Sequence, residues 1–200
     1  MTSTSLHPAT ATPAAGRDRE LHRARTAGGV LTVGALAFAA TPLLGDRGGQ
    51  AVDVVATMFQ VGIWFLVATM WRTHATGRSR LARSMLVVEM GLLSLASLAS
   101  VLMLLPDAIG KSDPVMVLDV FWPLSMLGMA VVGVKVAVAG VWRGALRCWP
   151  AVAETWVLFV IPSIVVFGEV VGGVVAAAHL MVGYAVLGLL LVLRPDLTRG

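Results

Sequence analysis

The chain has 200 residues, of which 58% are hydrophobic and only 13% charged, with a net charge of +4 and a mean hydropathy of +0.86. A soluble domain carries about a quarter charged residues, so this composition excludes an ordinary water-soluble globule and makes lipid the expected solvent. The apolar runs are too long, and alternate too little, for barrel strands. They point to helices, which satisfy every backbone N–H and C=O within one segment.

Residues 1–27 differ from the rest. Thr2 to Ala15 is mostly Thr, Ser, Ala and Pro, and Arg17, Arg19, Arg23 and Arg25 follow, mixed with Asp18 and Glu20. So little apolar surface predicts a disordered, basic tail. Six apolar segments come next, at roughly 29–44, 52–71, 85–105, 115–141, 151–167 and 170–193. A span needs about 20 apolar residues, with a range of about 17–25. The first falls just short and the fifth only reaches the lower limit. The expected fold is therefore all-α: a polytopic bundle of six transmembrane helices over residues 28–194, with a short tail at 195–200. A rival reading takes the first segment, with its small-residue run Ala37-Phe38-Ala39-Ala40, as a cleaved signal peptide. That would leave five spans.

Charge fixes the expected orientation. The N-terminal flank holds four Arg. Arg72, Arg78, Arg80 and Arg83 fall between the second and third segments, Arg143 and Arg147 between the fourth and fifth, and Arg194 and Arg199 after the sixth. The alternate loops hold Asp46, Arg47 and Asp53, then Asp107, Lys111 and Asp113, then only Gly168 and Glu169. The positive-inside rule places both termini in the cytoplasm. Bases that flank spans meet anionic lipid, so the excess positive charge does not indicate nucleic acid. The single cysteine, Cys148, lies in an expected cytoplasmic loop and reads as a reduced thiol.

Ionisable groups inside spans are functional candidates because burying them is costly. Glu89, Lys135 and Glu154 lie a few residues from the cytoplasmic ends of the third, fourth and fifth segments. At about 1.5 Å per residue they share a depth of roughly 5–9 Å. They could line an ion or proton path, or form a buried ion pair that fixes helix packing. Glu154 could also favour a helix N-terminus, and Lys135 could snorkel to the headgroups. His179 lies near the middle of the sixth segment. Gly172, Ala176 and Gly183 share its face and Gly168 lies one turn further out, a small-residue stripe suited to close helix approach. His179 reads as a packing histidine or a proton relay, and too few ligands accompany it for a metal site. Asp119 is sixteen residues from Lys135, about 160° around a helix, so the two cannot share a face.

Pro123 and Pro162 lie within segments and are expected to kink them. Trp64, Trp71, Trp122, Trp142, Trp149 and Trp156 lie toward segment ends, as in an interfacial aromatic belt. The third segment carries a second small and polar surface: Gly91, Ser94, Ala96, Ser97, Ala99 and Ser100. No phosphate-binding loop, cysteine-pair metal motif or nucleophile elbow is present, and no cofactor or metal is expected. Internal symmetry between the first and last three segments is not visible.

Three pieces carry a resemblance: the run Trp122-Pro123-Leu124-Ser125-Met126-Leu127-Gly128-Met129, the triplet Trp142-Arg143-Gly144, and the run Ala178-His179-Leu180-Met181-Val182-Gly183-Tyr184-Ala185. Together they resemble uncharacterised small multispanning integral membrane proteins of actinobacteria, over the C-terminal half. The resemblance implies no activity. Three functions follow as expectations. The first is a non-enzymatic module that associates with itself or another membrane protein through small-residue faces. The second is a small transporter or channel subunit lined by Glu89, Lys135, Glu154 and His179. The third is a membrane enzyme or redox subunit acting on a lipid or quinone.

Overall fold

The computed structural model describes residues 13–42 and 49–199. Among them every regular element is a helix: α1 Pro13–Ala39, α2 Gly49–Arg72, α3 Arg80–Met103, α4 Asp107–Gly110, α5 Asp113–Asp119, α6 Phe121–Ala139, α7 Ala145–Ala153, α8 Trp156–Leu180 and α9 Val186–Leu193. A π-helical turn, Met181–Ala185, joins α8 to α9, and a short 3₁₀ turn, Pro195–Thr198, ends the chain. Four helical stretches in the described residues are long and apolar enough to cross a membrane: 49–72, 80–103, 113–139 and 145–193. Their outward faces stay apolar. Val88, Val138, Val165 and Val170 stand 60–84% exposed, a surface that suits lipid and not water.

Local chemistry explains the boundaries. Ser79 caps α3 by accepting from the Ala82 backbone N–H at 3.1 Å, which satisfies one of the orphan donors of a helix start. The α5–α6 break falls at Val120, just ahead of Pro123, whose ring would collide with the Asp119 carbonyl in an unbroken helix. Asp119 is thus the last residue of α5. Gly140, at φ 64°, ends α6 in the left-handed conformation that glycine adopts without penalty.

The last stretch folds back on itself. Gly168 has φ 82° and ψ 175°, a region essentially restricted to glycine. Beyond it the chain returns alongside itself. A Cβ on Gly172 would lie 3.0 Å from the Ile164 Cα, and the Phe159 and His179 rings stack with centroids 6.3 Å apart. In a straight helix, residues that far apart in sequence would be about 30 Å apart. α8 is therefore two antiparallel arms, 156–167 and 169–180. Pro162 lies inside the first arm, and the reversal is at Gly168.

Several expectations need correction. The N-terminal tail is helical from Pro13 onward, so a disordered tail reaching residue 27 does not hold for 13–27; residues 1–12 lie outside the described residues, as do Asp46 and Arg47. The short first segment is the C-terminal part of a 27-residue helix. The fifth segment begins earlier, with α7 at Ala145, and Cys148 is an exposed residue of that helix instead of a loop.

α1 sits between α2 and the end of the chain. Gly34 faces the Phe59 backbone, Gly62 faces the Leu31 backbone, and Gly28 lies against Gly188 of α9. Thr32 donates to the Gly28 carbonyl at 2.8 Å and lies 3.3 Å from the Ala185 carbonyl. The core between the helices is built from Phe59, Ile63, Leu66, Met70, Leu93, Met129, Leu146 and Leu187, all fully buried or nearly so. At one end Arg199 pairs with Glu20 at 2.6 Å and donates to the Arg17 carbonyl. Arg72, Arg78 and Arg143 share a surface cleft with that pair. Residues of all four basic clusters thus meet at one end of the bundle, together with both described tails. Gln50 bonds the Leu104 carbonyl at the other.

Candidate functional site

The core of the bundle holds two carboxyl groups. Glu89, nine residues into α3, is 1% exposed. Glu154, in the turn between α7 and α8, is 5% exposed. Because α7 begins at Ala145, Glu154 also lies nine residues into its stretch, deeper than its place in an apolar run starting at 151 suggests. At about 1.5 Å per residue both sit roughly 13 Å along their helices from the basic end. Ser125 of α6 donates to Glu89 Oε1 at 2.5 Å. The Tyr184 hydroxyl lies beside Glu154, and the two carboxyls and the phenol are close enough to interact electrostatically. Oε2 of each glutamate is buried without a hydrogen-bond partner.

Small residues and a helix defect create this arrangement. Glu89 Oε2 lies directly over Gly128, at the place where a side chain would otherwise stand. Gly133 lets α6 approach α7, since a Cβ there would meet the Pro150–Ala151 backbone at 2.9 Å. Tyr184 sits in the π-helical turn, and such turns insert a residue and re-aim side chains, frequently at functional sites.

Beside the carboxyls lies a cavity of about 210 Å³ whose wall is largely aromatic: Phe38, Phe59, Trp122, Trp156, His179 and Tyr184, with Met126. Phe59 is the hub. It packs edge-on to Tyr184 at 4.9 Å and to Trp122 at 6.4 Å, and lies 5.7 Å from Phe38. The Trp156 indole N–H is buried with no acceptor.

The four intramembrane candidates separate into different settings. Glu89 and Glu154 are both buried in the core, within electrostatic reach of each other. Lys135 does not join them: it lies four residues before the end of α6, about 7 Å nearer the basic end than the glutamates. It is half-buried and forms no ion pair with either carboxyl. The expected ion pair between these residues is absent from the described structure. His179 lines the cavity, with Nε2 2.9 Å from the Ala153 carbonyl. The stripe on its face is used inside the chain. Gly168 is the reversal, Gly172 faces Ile164, Ala176 lines the cavity and Gly183 faces Ala153. Close helix approach does occur along it, but between the two arms of one chain. The tryptophans are not all interfacial either. Trp142 is fully buried and donates to Thr73 Oγ1 at 2.9 Å, and Trp122 and Trp156 wall the cavity.

Sequence reasoning passed over Ser125, Gly128 and Tyr184. Tyr184 carried a usable signal, as the single tyrosine of the chain placed within an apolar run. Among the described residues no group of three or more His, Cys, Asp or Glu is placed to hold a metal ion. No protein-family model matches the chain, and neither a curated protein nor a solved structure matches it.

Proposed function

We propose that the chain is a small transporter or channel subunit that binds and passes protons or small cations, as a six-span protein of a bacterial plasma membrane with both tails in the cytoplasm. One observation carries the reading: Glu89 and Glu154 are both buried in the apolar core, within electrostatic reach of each other, each with an unpartnered oxygen and with a hydroxyl, not a cation, beside it. Two buried carboxylates cannot both hold charge there without a proton or a cation between them. The reversal at Gly168 supports counting the last stretch as two spans. The meeting of Arg199 with Glu20 supports placing both tails on one side.

Proteoliposomes loaded with a pH-sensitive dye test the activity under a potassium diffusion potential. Wild-type protein is expected to admit protons, and Glu89→Gln and Glu154→Gln to slow entry by about tenfold or more. Vesicles that behave as empty ones, or Gln variants that conduct as wild type, refute the reading. Reporter fusions to both tails, and labelling of exposed Cys148 by an impermeant maleimide only after membranes are opened, test the orientation. The second reading, a module acting by helix association, retains the outward face of α3 at Gly91, where nothing lies within 4 Å.

A further inference from the structure

The aromatic cavity and the two carboxyls are linked through Tyr184 and Met126, although neither glutamate lines the cavity. Tyr184 contributes its ring to the cavity wall, and its hydroxyl lies beside Glu154. Met126 lines the cavity, accepts from the Tyr184 hydroxyl at 3.9 Å, and is the immediate neighbour of Ser125, the donor to Glu89. One layer of side chains separates the aromatic wall from both acids. Aromatic faces attract cations through the ring quadrupole, and the attraction is about 2 kcal/mol or more where water is excluded. Buried carboxylates add a long-range attraction of the same sign, strengthened by the low dielectric around them. A compact inorganic cation would give up too much hydration to enter a wall with so few polar groups. An ammonium ion fully substituted with alkyl groups gives up little.

Size agrees. A cavity of about 150 Å³ lined by apolar side chains admits benzene, and this one is about 210 Å³.

We infer that the cavity walled by Phe59, Trp122, Trp156 and Tyr184 binds a quaternary ammonium ion, with Glu89 and Glu154 as counter-charge. The inference deepens the proposed function and rests on it, since the same carboxyls would exchange protons for the organic cation. Binding needs no covalent step. A proton leaving the acids balances the charge of the cation that arrives.

The test uses full-length protein in detergent and two probes of nearly equal shape: choline, and its neutral carbon analogue 3,3-dimethylbutan-1-ol. Binding is read by calorimetry and by tryptophan fluorescence, since Trp122 and Trp156 are in the wall. Choline is expected to saturate one site and to bind about tenfold or more tightly than the neutral alcohol. Phe59→Leu, which keeps the bulk apolar and removes the ring, is expected to weaken choline about tenfold while the alcohol changes little. Equal affinity for choline and the alcohol overturns the inference, because the cavity then recognises apolar shape alone. Failure of both to bind also overturns it, even if proton entry into vesicles still depends on Glu154. Choline binding without glutamate-dependent proton entry upholds the ligand class and refutes the transport reading, so the two failures are distinguishable.

Discussion

Replacing Gly133 by alanine gives a quantitative test of how the bundle is held together. The added Cβ would stand 2.9 Å from three backbone atoms of Pro150 and Ala151. Ordinary carbon contacts begin at about 3.4 Å, so α6 and α7 must separate by about 0.5 Å. Backbone cannot rotate out of the way as a side chain can. Overpacking of this kind costs about 1–3 kcal/mol, against which alanine returns about 1 kcal/mol of helix propensity. Gly91→Ala isolates that second effect, because nothing lies within 4 Å of a Cβ there. The difference between the two variants should therefore be about 1–3 kcal/mol in favour of Gly91→Ala. At about 2–4 °C per kcal/mol for a chain of this size, their Tm values should differ by about 2–12 °C. Thermal unfolding in detergent, followed by tryptophan fluorescence, measures this. Equal Tm values, or a less stable Gly91→Ala, would refute the claim that α6 and α7 touch backbone to backbone at Gly133.

Gly128→Ala should push the Glu89 carboxyl off Ser125 and slow proton entry into vesicles about tenfold with the protein still inserted; unchanged entry would show that the position of Glu89 is not critical. Ser125→Ala removes the donor to Glu89 Oε1 and should cost about 1–3 kcal/mol, the usual result of orphaning a buried acceptor, read as a lower Tm in detergent. Gly168→Ala has open space around it, so its cost, about 1–3 kcal/mol, comes from backbone conformation alone, and Gly173→Ala in the same thermal assay should show no such loss. Glu20→Gln should shift stability by less than about 1 kcal/mol, because its pairing with Arg199 is exposed and such pairs contribute little.

Features with a strong local cause were readable from the amino-acid order. Arginine cannot be left in an apolar core without a partner, so the basic clusters gather at one end of the bundle wherever the chain goes. Gly168-Glu169 interrupts an otherwise apolar stretch, and the reversal is there. Other features depend on partners that are distant in sequence. α1 extends back through its arginines because its apolar face packs on α2 and α9, not because those residues favour a helix by themselves. Glu154 is deep because α7 starts at Ala145, in a segment whose Arg147 and Cys148 read as loop. Gly128 and Gly133 look like any glycine in an apolar run until α3 and α7 are laid against them. Trp142 reads as an interfacial ring by composition, yet neighbours from several helices bury it.

The contact of α1 with α9 bears on how the molecule is completed. α1 is synthesised before α2 and finds it directly, but the Gly28–Thr32 side of the helix has no partner until Ala185 and Gly188 emerge. The nascent protein therefore enters the membrane as an unclosed ring. The final dozen or so residues act as its clasp, with Leu197 holding the Arg143 backbone and Arg199 reaching Glu20. A ribosome that stops short of α9 would release every earlier helix but no closed bundle, and the exposed seam along α1 is where quality-control proteases would find it.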